Sequence, residues 1–154
     1  MNILVAGCGQ VGLYLVRRLE EQGHEVAVLD ESPERLRLLD HLEGRPFSGV
    51  ALAGLPIDVD ALRGAGIETC DAVAAVSDDD RINLMAAQIA RDVFGIRQVV
   101  ARIADPRLEQ IYADQFGLVT ICPTRLTVDA ALDSLNGVFA PRRAGGAAKR
   151  EGEA

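Results

Sequence analysis

Three cysteines, two histidines and a single lysine are a thin supply of reactive groups for a chain of 154 residues. Cys8, Cys70 and Cys122 are odd in number and irregular in spacing, which fits reduced thiols and not a disulfide framework. Only His24 and His41 are there to complete a metal site, so a zinc centre is not expected. No apolar run approaches the roughly 18 to 20 residues that cross a bilayer. The N-terminus enters an apolar strand pattern without a basic leader or cleavage site, so a cytoplasmic location is expected. Basic charge is also scarce. The net charge is −7, and Pro141 to Ala154, with four basic and two acidic groups, leave −9 on residues 1–140. That balance argues against nucleic acid, whose backbone is bound through many Lys and Arg contacts. The length suits one domain, residues 1–140, and the final segment, 141–154, without a large apolar side chain, is expected to be a disordered tail.

What the chain does have begins at its second residue. Ile3-Leu-Val-Ala leads directly into Gly7-Cys8-Gly9-Gln10-Val11-Gly12, a strand followed by a GxGxxG loop. Gly7 permits a tight turn, Gly9 carries no side chain to block a pyrophosphate, and Gly12 permits close packing of the next helix. The helix start then turns free N–H groups toward phosphate. Val11, Leu15 and Leu19 follow at helical spacing, and a second apolar run, Val26 to Leu29, ends in Asp30-Glu31. Asp30, eighteen residues after Gly12, can accept hydrogen bonds from both hydroxyls of an adenosine ribose and would repel a 2′-phosphate. NAD or NADH is therefore favoured over NADP, with AMP, ADP or ATP as further candidates.

Six short apolar runs, near 2–6, 25–30, 46–50, 71–76, 97–103 and 118–122, alternate with helical patterns near 10–22, 33–42, 58–65, 80–94, 106–116 and 125–137. This alternation predicts an α/β fold: a Rossmann-like, doubly wound, six-stranded parallel sheet in a three-layer αβα arrangement. Ser32-Pro33 and Asp105-Pro106 are N-cap and N1 signals, and Gly23, Gly66, Gly95 and Gly117 stand where helices should stop. The third strand is the weakest signal, diluted by Pro46, Gly49 and Gly54.

Together with the glycine loop and Asp30, the segments Leu62-Arg-Gly-Ala-Gly-Ile67, Asp71 to Asp80, Asn83-Leu84 and Val100-Ala-Arg-Ile103 resemble the TrkA N-terminal, or RCK N-lobe, family over roughly residues 2–135. The resemblance implies a cytoplasmic regulatory subunit, peripheral on the inner membrane face, that gates a membrane potassium transporter or channel. It also implies a homodimer or higher ring of Rossmann lobes whose nucleotide occupancy alters the assembly. Position by position it marks Ser77, Asp78, Asn83 and Arg102 as near the ligand or the dimer seam. Gln10 stands where some members carry an arginine that reaches a terminal phosphate, which favours a dinucleotide. Gly54-Leu55 replaces a pair whose polar side chain contacts adenine, and Pro123-Thr124 replaces a Pro-Glu associated with a divalent cation. The chain ends where members continue into a smaller C-terminal lobe, so a stand-alone N-lobe is expected.

Plainer roles compete for several of these residues. Asp79 and Asp80 read as helix-start acids, each worth about 0.3–1 kcal/mol against the helix dipole, while Asp78 keeps the ligand assignment. Cys8 reads as a small loop side chain, although a helix N-terminus lowers a thiol pKa and would favour oxidation. Ile111, Phe116 and Leu118 read as core or interface. An NAD-dependent oxidoreductase is the alternative class. Against it, His24 and His41 are expected at the edge away from the strand carboxyl ends, and Tyr112 has Phe, not Lys, four residues on. A redox or nucleotide sensor for a partner unrelated to potassium would share every motif.

Overall fold

The computed structural model describes residues 1–137, so the expected tail at 141–154 and the boundary at 140 lie outside the described residues. The elements run β1 (Asn2–Ala6), α1 (Gln10–Glu21), β2 (Glu25–Asp30), α2 (Pro33–Arg37), β3 (Val50–Ala53), α3 (Val59–Gly64), β4 (Ala72–Ala75), α4 (Asp80–Gln88), β5 (Gln98–Arg102), α5 (Pro106–Phe116), β6 (Val119–Ile121) and α6 (Pro123–Leu135). All strand pairs are parallel, in the order β3-β2-β1-β4-β5-β6. The chain divides after Thr124, and the first compact unit is Met1–Thr124. The first holds the whole sheet and α1 to α5.

Successive strand residues face opposite sides of a sheet. Leu4, Ala6, Leu29, Val73, Ala75, Val99 and Ala101 belong to one buried cluster with Leu62, Ala86, Ala87 and Ala90 from α3 and its neighbours. Ile3, Val5, Val26, Val28, Ala74 and Val76 belong to the other, with Leu13 and Val16 of α1 and Leu39. β1 sits at the centre and is buried on both faces, which accounts for its unbroken apolar run. Each fully buried Val or Leu contributes about 1.5–3 kcal/mol.

The caps expected from the sequence are present: Ser32 Oγ accepts from Arg35 N–H, Asp105 from Arg107 N–H, and Gly23, Gly66, Gly95 and Gly117 all have positive φ. The helix expected at 80–94 is α-helical only to Gln88 and continues as a π-helix, Ile89–Val93, and three other boundaries differ. α2 stops at Arg37, not residue 42, and two 3₁₀ turns follow, with Glu43 at φ 58°. β3 occupies Val50–Ala53, not 46–50. One buried cation explains both shifts. Arg17, 3% exposed, donates to the carbonyls of Leu39, Arg45 and Pro46, while Glu20 accepts from the Ser48 N–H and hydroxyl. Those groups are thereby withdrawn from helix and strand ladders until residue 50. The third shift is at α6, which begins at Pro123 rather than 125, because a proline's fixed φ suits the first helical turn.

Candidate nucleotide site

The strand order reverses between β1 and β4, and a doubly wound sheet binds ligands in the crevice beyond the carboxyl ends at such a switch point. Here the glycine loop and the Ser77-Asp78 turn meet. Gly7 has φ +108°, and a Cβ there would lie 2.4 Å from the Ser77 nitrogen. At Gly12 a Cβ would lie 2.0 Å from the Gly7 carbonyl oxygen, so this glycine closes the loop on itself. Gly9 differs from both. Its φ is an ordinary −73°, and the atom nearest an added Cβ is the Asp78 carboxylate, at 2.8 Å. Gly9 is also the N-cap of α1 and supplies no side-chain acceptor, which leaves first-turn N–H groups for an anion.

Asp30 ends β2 beside this loop. It is 3% exposed, and its carboxylate accepts from Cys8 N–H at 2.6 Å and from Ser32 N–H at 2.8 Å. Each oxygen keeps a lone pair, so the group is oriented for two hydroxyls. Arg35 Nη1 stands 3.8 Å from Asp30, and Arg35 Nη2 stands 3.7 Å from Asp78. Two hollows adjoin the pair. One, about 510 Å³, is bordered by Cys8, Gly9, Gln10, Tyr14 and His41; the other, about 350 Å³, by Asp30, Glu31, Leu55, Pro56, Ser77 and Ile82. Arg35 and Asp78 line both. Each volume falls in the range of small-molecule sites.

The model of the TrkA-N domain matches residues 3–122. The chain belongs to the TrkA-N family. The "Trk system potassium uptake protein TrkA" of Streptomyces coelicolor is 44% identical over 135 residues, which are 88% of this chain and 58% of that protein. This TrkA-N chain thus spans little more than half of that relative's length. Among solved structures, the Kef CTD of Shewanella denitrificans in AMP-bound form superposes with a TM-score of 0.73 at 22% identity, covering 91% of this chain and 83% of that one. The GsuK channel bound to NAD superposes at 0.62 and 20% identity, covering 79% of this chain and 21% of that one. At such identities the likeness is one of fold.

Within this TrkA-N domain the expected site residues separate. Gly9, Gln10, Asp30, Glu31, Ser77 and Asp78 border the two hollows, and the Cys8 backbone N–H holds Asp30. Asn83 does not reach them. It is 0% exposed; its Oδ1 accepts from the Ser77 N–H and hydroxyl, and its Nδ2 donates to the carbonyls of Ser77 and Arg102. With its amide fully engaged, Asn83 joins the ends of β4 and β5. Val11 and Arg102 line a different, apolar groove on the sheet face, and Arg102 Nη1 donates to Ser77 O. The period of α1 turns Val11 away from the loop, so neither side chain borders the hollows.

Three further expectations change. Asp79 does cap α4, accepting from Arg81 and Ile82 N–H, but Asp80 reaches across to the N–H groups of Ala104 and Asp105 and fixes the turn after β5. The Cys8 thiol is not activated. Burial and the neighbouring Asp30 carboxylate push its pKa up to about 12, which outweighs any helix-end effect. His41 lies beside the glycine loop, not at the opposite edge, because α2 ends after five residues and the chain turns back under Tyr14 and Leu42. Of the residues read as core or interface, Leu118 is buried, while Ile111 and Phe116 are 43% and 38% exposed and Phe116 meets Tyr112 edge-on. Arg35 went unrecognised in the sequence. Its signal was the Ser32-Pro33 cap, which fixes where α2 starts and so brings the third helical residue back over Asp30.

Proposed function

We propose that this chain is a regulatory lobe, without chemistry of its own, that binds NAD(H) or an adenine nucleotide and controls a membrane potassium transporter or channel. The observation that carries the reading is the joining of the glycine loop, the oriented Asp30 carboxylate and two adjoining hollows at one switch point. In this reading the phosphates lie over Gly9 and the first turn of α1, Asp30 holds the ribose hydroxyls, and adenine lies against Leu55, Pro56 and Ile82. An apolar wall replaces the polar adenine contact of other members. The AMP and NAD carried by the Kef and GsuK structures support this ligand class, and the S. coelicolor relative's name supports potassium uptake as the regulated process.

The lobe works as a homodimer or higher ring, in the cytoplasm, at the membrane through its partner. Among the described residues no helix is long and apolar enough to cross a membrane. Nucleotide biases two dimer geometries only as far as it binds one more tightly than the other. A groove of about 530 Å³ beside α1, formed by Val11, Leu15, Ala74, Val100, Val119 and Ile121, offers the apolar surface for the second copy.

A thermal shift series with NAD, NADH, NADP, AMP, ADP and ATP at matched concentration tests the reading, since a ligand of the folded state raises the melting midpoint. A selective rise with NAD, NADH or an adenine nucleotide is expected; none with any of them overturns it. A second reading, NAD-dependent oxidoreductase, draws on His41 and Tyr14 beside the loop. It requires turnover of NADH with a carbonyl substrate, lost in His41→Ala.

A further inference from the structure

Asp78 occupies a position that the proposed function reserves for something else. Its carboxylate oxygen stands 2.8 Å from where a Gly9 Cβ would be, in the space that the missing side chain opens for phosphate. It is held beside Arg35, whose guanidinium also lies against the Asp30 carboxylate. Asp30, the ribose acceptor of that reading, is 3% exposed. Arg35 and Asp78 border both hollows, so the pair separates the phosphate side from the ribose side.

We propose that Arg35 and Asp78 form a displaceable latch: the Asp78 carboxylate fills the phosphate position over Gly9, and a 5′-phosphorylated adenosine displaces it and takes Arg35 as its own cation. The inference rests on the nucleotide reading given above. Three points of chemistry support it. A carboxylate and a phosphate present the same charge and acceptor oxygens to a guanidinium, and Arg recognises both. The pair is loose enough to open: its N–O distance is 3.7 Å, and the two side chains are 44% and 59% exposed, a setting in which ion pairs are weak and salt-screened. Gln10 is uncharged, and Arg35 is the one Arg or Lys bordering either hollow among the described residues. Movement of the guanidinium toward phosphate also uncovers Asp30, so phosphate capture and ribose binding are coupled in one rearrangement.

The test is titration calorimetry of the full chain with ADP, NADH and adenosine, for the native protein and for Arg35→Gln, Asp78→Asn and Glu34→Gln. Arg35→Gln is expected to weaken ADP and NADH tenfold or more while leaving adenosine within twofold. Asp78→Asn is expected to tighten ADP and NADH severalfold. Glu34→Gln, which removes the same charge from the residue next to Arg35 without approaching Gly9, is expected to change them less than twofold. Weaker ADP binding in Asp78→Asn would make Asp78 a ligand contact and overturn the latch, as would equal losses of ADP and adenosine in Arg35→Gln. A native protein that binds none of the three ligands overturns the nucleotide reading itself, an outcome separate from normal native binding with unresponsive variants. Unchanged melting curves of the unliganded variants exclude misfolding as the cause.

Discussion

On one side of the sheet, α3, α4 and α5 lie over Leu4, Val73 and Ala101, all nearly inaccessible to water; on the other, α1 and α2 lie over β1, β2 and β3, while Val119 and Ile121 of β6 stay 64% and 42% exposed. The difference follows from topology. Crossovers between parallel strands are right-handed, so the two that build outward from β1 toward β3 place helices on one face. The three that lead back across to β4 and on to β6 place theirs on the other. Five crossovers therefore supply three helices to one face and two to its opposite, and the strands from β4 to β6 are left with an apolar groove beside α1. The nucleotide edge is the polar counterpart of that groove. There the main-chain N–H groups of Cys8, Ser32 and Ser77 are each assigned to a named side chain. One region is specified by hydrogen bonds, the other is an open apolar surface.

The largest effects fall within the glycine loop. Gly12→Ala drives a Cβ into the Gly7 carbonyl and is expected to cost about 3 kcal/mol, read by urea denaturation. Gly9→Val meets first the exposed Asp78 side chain, so stability should change by less than about 1 kcal/mol while nucleotide affinity falls about 100-fold. Equal stability losses in the two variants would erase the distinction between a structural and a ligand-facing glycine. Next comes Asn83→Ala. It takes the Nδ2 donor from the carbonyls of Ser77 and Arg102 and the acceptor from the Ser77 N–H, and is expected to cost about 2–3 kcal/mol in the same measurement.

The two sheet faces are compared through Val73→Ala, expected to cost about 2 kcal/mol, against Val119→Ala, expected to cost less than about 0.5 kcal/mol. Val119→Glu should leave the monomer folded and shift sedimentation toward it; an unchanged dimer would remove the groove from the association surface. The last effect is in pH. The Cys8 thiol is raised from 9.0 to about 12, so its contribution is fully present below about pH 9 and is lost as pH rises toward 12. Stability should therefore fall above pH 9, by at most about 1.4 kcal/mol per pH unit, and Cys8→Ala should flatten that decline in denaturation curves at pH 8 and 10.

Much of the molecule was legible from local signals. Apolar runs, proline caps and stop glycines located every strand but the third, and GxGxxG with Asp30 pointed to the candidate site at the switch point. The misses share one cause, contacts between residues far apart in sequence. Arg17 shifts β3 by binding carbonyls of residues 39, 45 and 46; Asn83 is absorbed by the ends of β4 and β5; Asp80 is drawn to the turn after β5.

By itself, the sequence determined the six-strand alternation, the family and the acid that ends the second strand, because periodicity, caps and glycine spacing are written within a few residues of one another. Tertiary structure alone decided that His41 borders the loop, that Cys8 is a poorly acidic thiol, and that Arg35 and Asp78 meet over Gly9. Burial, charge proximity and close approach depend on chain segments that only the folded sheet brings together.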